Sequence, residues 1–388
     1  MSTTGASARR VETLALLVGS NPLPNYLAAM MLEPREVTLL YSPQTTEPRD
    51  LLRAALEQKN ITLKDVCVDD ATDARKIRDA CQGLVVDHLH YSGGTKSMAA
   101  HARQACNLSD SQASYLDERK GLLRFDDGYD VRLDQCELGL TLDLLLKLHG
   151  IDRVAATEKG AGLPTDDDAL VVATGILQNP SLVDVIRQQL RPEERKRSFT
   201  QTKSAPWRPQ DDGLTLSASV VPGEDWTSAR YNSWMRFLTG GWLEAWTARL
   251  VRACLDGPAQ AIEVSVDCNR ARPSPTQFEI DVALIRGHRL HVVSCTTHQK
   301  KPLCKSKLFE VTMRARQMGG DLARSALVSL LDGSDTNGPY VDQLRADIAS
   351  IWDSPNIPKV FGLADLREWA GTTGADANLG TLKEWLES

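Results

Sequence analysis

The sequence has no apolar run approaching the roughly 20 residues that a membrane helix needs. Its opening, Met1 to Arg10, is polar and has no apolar centre of the kind a secretory leader carries. Together these absences predict a cytoplasmic protein with no membrane contact. No Cys-x-x-Cys pair occurs. The eight cysteines (Cys67, Cys81, Cys106, Cys136, Cys254, Cys268, Cys295 and Cys304) are scattered, which argues against a zinc site and reads as small, reduced core residues. An excess of positive charge is missing as well. The net charge of −6 excludes a protein that coats nucleic acid indiscriminately, while leaving room for a local basic groove. The seven histidines form no ligand spacing, and none is assigned a catalytic role. Internal repeats and long low-complexity segments are absent.

What is present fits two globular domains. The chain has 388 residues, of which 42% are hydrophobic and 25% charged. The first 150 residues alternate strand and helix. Strands are expected at Leu14–Val18, Val37–Tyr41, Ile61–Val68 and Val85–Tyr91, with helices at 25–32, 51–58, 72–82 and 98–105. A hairpin, 113–116 with 122–125, finishes the sheet. Such alternation builds a parallel sheet covered on both faces, which binds ligands at the carboxyl ends of its strands. Three loops fall at that edge: Gly19–Pro22, Ser42–Thr45 and Ser92–Lys96. The last, Ser92-Gly93-Gly94-Thr95-Lys96, joins a strand to a helix. Its glycines let backbone N–H groups approach an anion, its hydroxyls add donors, Lys96 adds charge, and the helix N-terminus adds partial positive charge.

Residues 151–227 read as a helical connector and linker, with Asp166-Asp167-Asp168 able to cap a helix over 169–177, a helix over 183–190, and a polar, proline-containing stretch over 191–212. A second pattern fills 228–388: a periodic helix over Trp242–Leu255, a strand over 261–266, a hairpin of Phe278–Ile285 and Leu290–Cys295, a helix over 303–318 and a strand over 326–331. Strict alternation sends Phe278, Ile280, Val282 and Leu284 to one face and Glu279 and Asp281 to the other. Paired carboxylates on one face can hold Mg²⁺ or Mn²⁺.

Two stretches of the N-terminal half resemble the CARF family, the CRISPR-associated Rossmann fold. They are Leu17-Val18-Gly19-Ser20-Asn21-Pro22-Leu23-Pro24 and Leu89-His90-Tyr91-Ser92-Gly93-Gly94-Thr95-Lys96-Ser97-Met98, with Ser92 where the family usually has Thr. The resemblance covers about residues 11–150. It implies a homodimer binding a cyclic oligoadenylate, the four-adenine ring above all, made by a type III CRISPR complex. Contacts carry over to Gly19, Ser20, Asn21, Pro22, Ser92, Gly93, Gly94, Thr95, Lys96 and Met98. Ser42 and Gln44 join them by their place at the same sheet edge.

Residues 228–331 resemble a PD-(D/E)xK nuclease core, a restriction-endonuclease-like α/β fold. The resemblance implies a helical Glu at Glu244, the motif Asp at Asp281, both as metal ligands, and a metal-dependent DNA or RNA endonuclease. It departs at Ser294, where a second carboxylate belongs, and at Thr296, where a lysine belongs. Two readings follow. In one, Lys305 or Lys307 and Glu279 or Glu310 take over, amid the basic residues His298, Lys300, Lys301, Arg314 and Arg316; Glu244, Glu279, Asp281 and Lys305 are then the catalytic set. In the other, the core only binds nucleic acid or a partner protein when ligand arrives. A further possibility is that the CARF half slowly cleaves its own ligand, with Lys96, Ser92 and Thr95 orienting a ribose hydroxyl.

Overall fold

The computed structural model describes residues 9–154, 163–189, 228–255, 261–270, 276–352, 356–372, 374 and 376–388. The linker stretch expected at 191–212 lies outside them. Two mixed sheets organise the chain.

The first sheet has seven strands: β1 (Thr13–Leu17), β2 (Glu36–Tyr41), β3 (Thr62–Cys67), β4 (His88–His90), β5 (Ala113–Asp117), β6 (Leu122–Phe125) and β7 (Asp130–Arg132). Their order is β3-β2-β1-β4-β5-β6-β7, parallel from β3 to β5 and antiparallel from β5 to β7. β1, with Leu14, Ala15, Leu16 and Leu17 all without exposure, lies at the centre. A continuous apolar run suits a parallel strand covered on both faces. Between β2 and β4 the strand order reverses, so the ends of β1, β2 and β4 form one edge.

The second sheet holds β8 (Ile151–Arg153), β9 (Ile262–Arg270), β10 (Thr276–Arg286), β11 (Arg289–Thr296), β12 (Arg324–Ser329) and, after the small ladder β13 (Ser334–Asp335) with β14 (Gly338–Pro339), β15 (Lys359–Phe361). The order is β15-β12-β11-β10-β9-β8. One face carries the helix Trp242–Ala253, whose Trp242 and Trp246 are buried one turn apart; the other carries the helix Lys301–Gly319.

The structure departs from the sequence reading in two places. Part of the segment read as a connector belongs to the second sheet: Ile151–Arg153 pairs antiparallel with β9. The helices Asp166–Gln178 and Leu182–Gln189 bury Ala169, Val172, Ile176 and Ile186 in the same core as Trp242 and Trp246. The cap of the first helix is Thr165, not the aspartates alone. Asp168 N–H donates to Thr165 Oγ1 and the Asp168 carboxylate accepts from Thr165, a reciprocal capping box.

The second departure is in β10, which does not alternate evenly. Phe278 and Ile280 join a core shared with the N-terminal half, as do Ala283 and Ile285, whereas Val282 and Leu284 join the core of the Trp242–Ala253 helix. The faces switch at Asp281. There the ladder with β9 skips one rung, opposite Ser265, a non-glycine residue at φ 49°. A left-handed residue interrupts pairing and re-aims its neighbours, as bulges beside functional sites do.

Candidate functional site

At the edge of the first sheet, the loops after β1 and β4 lie backbone against backbone. A Cβ on Gly93 would run into the carbonyl oxygen of Leu17, and one on Gly19 would stand 2.9 Å from the Gly94 nitrogen. Gly94 sits at φ +71°. These glycines are therefore required by close approach and by left-handed backbone. Asn25 fixes the crossing from below by donating to Leu17 O at 2.8 Å.

Side chains hold the loops in place. Ser92 Oγ accepts from Leu116 N–H at 2.5 Å. Thr95 caps the helix Lys96–Ala105: its Oγ1 accepts from Met98 N–H at 3.0 Å and donates to Ala71 O at 2.6 Å. Asn21 Oδ1 accepts from Leu23 N–H at 3.0 Å. Ser20, Gln44, Gly94 and Lys96 are exposed at this edge, with Ser42 buried beneath the turn Pro43–Thr45. Pro22 is buried too. Met98 is 1% exposed and its sulfur lies 3.1 Å from the Cβ position of Gly94, so it supports the loop from within the core. The expected sensor residues are thus brought together, divided between those that face solvent and those that shape the loops.

The second edge is acidic. Asp281 lies at the switch in β10. Its Oδ2 accepts from Ser294 Oγ at 3.0 Å and from Cys295 N–H at 2.6 Å. Glu244, on the first turn of the Trp242–Ala253 helix, accepts from Ser265 Oγ. Burial, and then the negative charge of Asp281, push the Glu244 carboxyl up to about 7. Burial likewise raises Asp281, against its two hydrogen bonds and the nearby Lys307. Glu279 is ion-paired with Arg236, which also lies 4.0 Å from Asp267. Arg236 leads into a π-helical turn, Phe237–Gly241, and Thr239 O in that turn accepts from Thr297 beyond β11. Such turns recur at functional sites.

A small open cleft adjoins Asp281 and is lined by Glu279, Ser294, Lys307, Glu310 and Arg314 among others. Lys307, Glu310 and Arg314 share one face of the Lys301–Gly319 helix by their spacing. Lys305 does not join them. It points to the neighbouring helix, where its Nζ lies 2.8 Å from Asp347. A two-position step along a helix turns a side chain by roughly 200°, which is why 305 and 307 cannot serve the same cleft. Sequence reasoning missed Arg236 and Ser265. The Gly-Gly pair just before Glu244 was the available signal for the first; nothing in the sequence marks Ser265 as left-handed.

No group of three or more histidine, cysteine, aspartate or glutamate side chains is gathered for a metal among the described residues. Glu244 and Asp281 nonetheless form an oxygen-donor pair: the charge of Asp281 adds to burial in raising Glu244, and that of Glu279 adds to burial in raising Asp281. That chemistry fits a hard divalent cation.

Residues 231–357 match the family described as Card1-like, endonuclease domain. This match is confined to the C-terminal part of the chain. Among solved structures, protein VC1899 from Vibrio cholerae is similar over 97% of this chain and 98% of its own, at TM-score 0.67 and 15% identity. Can2 from Sulfobacillus thermosulfidooxidans, solved with cyclic tetra-adenylate, is similar over 92% and 99%, at TM-score 0.62 and 17% identity. A type III CRISPR defence DNA nuclease activated by cyclic oligoadenylate matches over 86% of this chain and 48% of its own, at TM-score 0.52 and 19% identity. No curated protein matches significantly. At these identities the likeness establishes the fold alone, shared over nearly the whole chain with the first two structures. No helix among the described residues is long and apolar enough to cross a membrane.

Proposed function

We propose that this chain is an ancillary effector of type III CRISPR defence, in which a cyclic oligoadenylate bound at the CARF edge switches on a metal-dependent nuclease. The observation that carries the reading is the presence in one chain of two glycine loops pressed backbone to backbone at a sheet switch point and a Card1-like endonuclease domain containing the Glu244–Asp281 pair. The solved relatives supply the ligand class: one holds cyclic tetra-adenylate and another is described as activated by cyclic oligoadenylate.

At the sensor edge, exposed backbone at Gly94 and the ammonium of Lys96 meet the ligand's phosphates, and Ser20 and Gln44 flank them. A two-fold ring is read across a two-fold interface, so the active species is a homodimer with two shared sensor loops. At the acidic edge, Glu244 and Asp281 would hold Mg²⁺ or Mn²⁺. A bound divalent ion lowers the pKa of its water and offsets charge on the scissile phosphate. Lys307 and Arg314 place cations along the cleft where the phosphodiester backbone of DNA or RNA runs, and Arg236 offsets the charge of Glu279. Ser294 orients Asp281 and adds no charge of its own.

The test is incubation of the purified protein with each cyclic oligoadenylate, Mg²⁺ or Mn²⁺, and single- and double-stranded DNA and RNA. Cutting that needs both ligand and metal supports the reading, and cutting independent of ligand overturns it. A second reading rests on Ser294 and Thr296, both buried, where the nuclease core calls for a carboxylate and a lysine. In that reading the fold grips nucleic acid or a partner protein when ligand arrives. Ligand-dependent retention of DNA with no cleavage in excess Mn²⁺ supports it over the first.

A further inference from the structure

The helix Lys301–Gly319 passes the acidic cleft and ends beside the loop after β1. Its middle turns present Lys307, Glu310 and Arg314 to the acidic cleft. Its 19 residues span roughly 28 Å at the helical rise, and they end against the N-terminal half.

Two routes from the sensor edge converge on that end. The first is Asn21, in the loop after β1. Its Oδ1 is held by Leu23 N–H, which leaves the amide nitrogen beside Gly320. The second starts at Ser92, which accepts from Leu116 N–H in β5. β5 runs directly into the turn that carries Glu118 and Arg119. Glu118 Oε2 accepts from Asp321 N–H at 2.8 Å, and Arg119 lies 3.9 Å from the Asp321 carboxylate. Gly320 sits where the routes meet, at φ 58° and ψ −147°. A Cβ there would run into Glu118 Oε2 and stand 2.9 Å from Asn21 Nδ2.

Asp321 is locked to the helix side of this joint. Its carboxylate lies 3.1 Å from Arg316, and its carbonyl oxygen accepts from Asn356. The contact from the N-terminal half is different in kind. Glu118 is half-buried, and burial raises its carboxyl above the usual range. One half-buried carboxylate therefore joins the turn after β5 to the helix end through a single backbone hydrogen bond. A packed helix shifts as a body, so a displacement at Gly320 is delivered at Lys307 and Arg314.

We propose that Glu118 is a positioning residue: through its bond to the backbone at Asp321 it couples ligand seating at Asn21 and Ser92 to the placement of the cleft-lining face of the Lys301–Gly319 helix. This inference rests on the functional reading above. It adds a defined joint within each chain, separate from any dimer rearrangement.

The test is hydrogen exchange of the full-length protein with and without cyclic tetra-adenylate, alongside ligand affinity by calorimetry and ligand-stimulated cutting. In the unmodified protein, ligand should slow exchange at 19–25 and 92–98 and also alter it at 301–322. Glu118→Ala should keep ligand affinity and the sensor response while losing the helix response. Its ligand-stimulated cutting should fall by at least about tenfold, the scale of a typical coupling free energy. Glu118→Gln, whose amide oxygen still accepts from Asp321 N–H, should restore both. If Glu118→Ala loses its cooperative melt, Gly320→Ala takes its place, with the same expected split between sensor and helix. A helix response that persists in Glu118→Ala or Gly320→Ala overturns the joint, and so does a Gln variant as uncoupled as Ala. A protected sensor with a silent helix in the unmodified protein overturns the joint alone. Absence of any sensor protection overturns the functional reading and the joint with it.

Discussion

The Ser294 hydroxyl donates to Asp281 Oδ2 at 3.0 Å. The neighbouring backbone N–H of Cys295 donates to the same oxygen at 2.6 Å. Two donors on one oxygen fix the carboxylate's direction and leave Oδ1 for another partner. Ser294 therefore serves the acidic site as an orienting group. In the proposed nuclease, the charge expected at that position falls to Glu279 or Glu310 and that of the missing lysine to Lys307, all of which line the cleft.

The first consequence concerns Asp281. Asp281→Ala removes both a proposed metal ligand and the acceptor of two hydrogen bonds. Metal-dependent cutting should fall by more than about 100-fold, since even outer partners of metal sites are worth 10–100-fold. Affinity for cyclic tetra-adenylate, measured by calorimetry, should stay within about twofold because the proposed sensor loops lie in the other sheet. Undiminished cutting by this variant would remove Asp281 from the mechanism.

Glu244 makes a prediction about pH. Its carboxyl is raised from 4.5 to about 7 in the folded chain. Between those values the folded state binds more protons than the unfolded state, so stability should fall as pH rises from about 4.5 to 7 and level off above. Glu244→Gln keeps an acceptor for Ser265 and has no charge to desolvate. Thermal melts at pH 8 without divalent metal should therefore show the Gln variant a few degrees more stable. Added Mn²⁺ should stabilise the unmodified protein more than the variant. Identical pH profiles for the two proteins would count against the strain assigned to this carboxyl.

Much of this was legible in the sequence, and the parts that were not have a common cause. The strands β1, β2 and β4 and the two glycine loops follow from apolar runs broken by turn residues, signals carried within a few positions. The acidic edge depends instead on which face a side chain takes. At Asp281 a single left-handed residue in the neighbouring strand, Ser265, resets the alternation that places Phe278 and Ile280 in one core and Val282 and Leu284 in another. Arg236 reaches Glu279 from 43 positions away. The strand Ile151–Arg153 pairs with β9 across more than a hundred positions. Long-range partners of this kind leave no local pattern.

The two lysines offered by the basic helix separate cleanly. Lys307 lines the cleft and its charge favours the ionised form of Asp281. Lys305 is engaged with Asp347 on the other side of the helix. Lys307→Ala should lower cutting by about 100-fold, the lower end for loss of one electrostatic partner of the reacting group. Lys305→Ala breaks a largely exposed pair worth about 0–1 kcal/mol and should leave cutting within about twofold. Comparison of initial rates at saturating ligand and metal decides between them. The reverse ranking would return the role to Lys305.

Gly93 and Gly94 test the sensor by different physics. A Cβ at Gly93 meets the Leu17 carbonyl in the middle of the loop crossing, and relief requires β1 and β4 to separate. Gly93→Ala should therefore cost about 1–3 kcal/mol of stability, as overpacking does, and abolish ligand binding. At Gly94 the neighbours are the Met98 sulfur and the Cβ atoms of Met98 and Leu17, 3.1–3.4 Å from the new atom, and the added difficulty is φ +71°. An alanine there strains the backbone by about 1–2 kcal/mol and places a methyl group where the backbone faces solvent at the proposed phosphate site. Gly94→Ala should lose most of its affinity for cyclic tetra-adenylate while melting only a few degrees lower. Chemical denaturation gives the stabilities and calorimetry the affinities. If Gly94→Ala binds ligand as the unmodified protein does, the loop is a structural turn and the phosphate contact lies elsewhere on the edge.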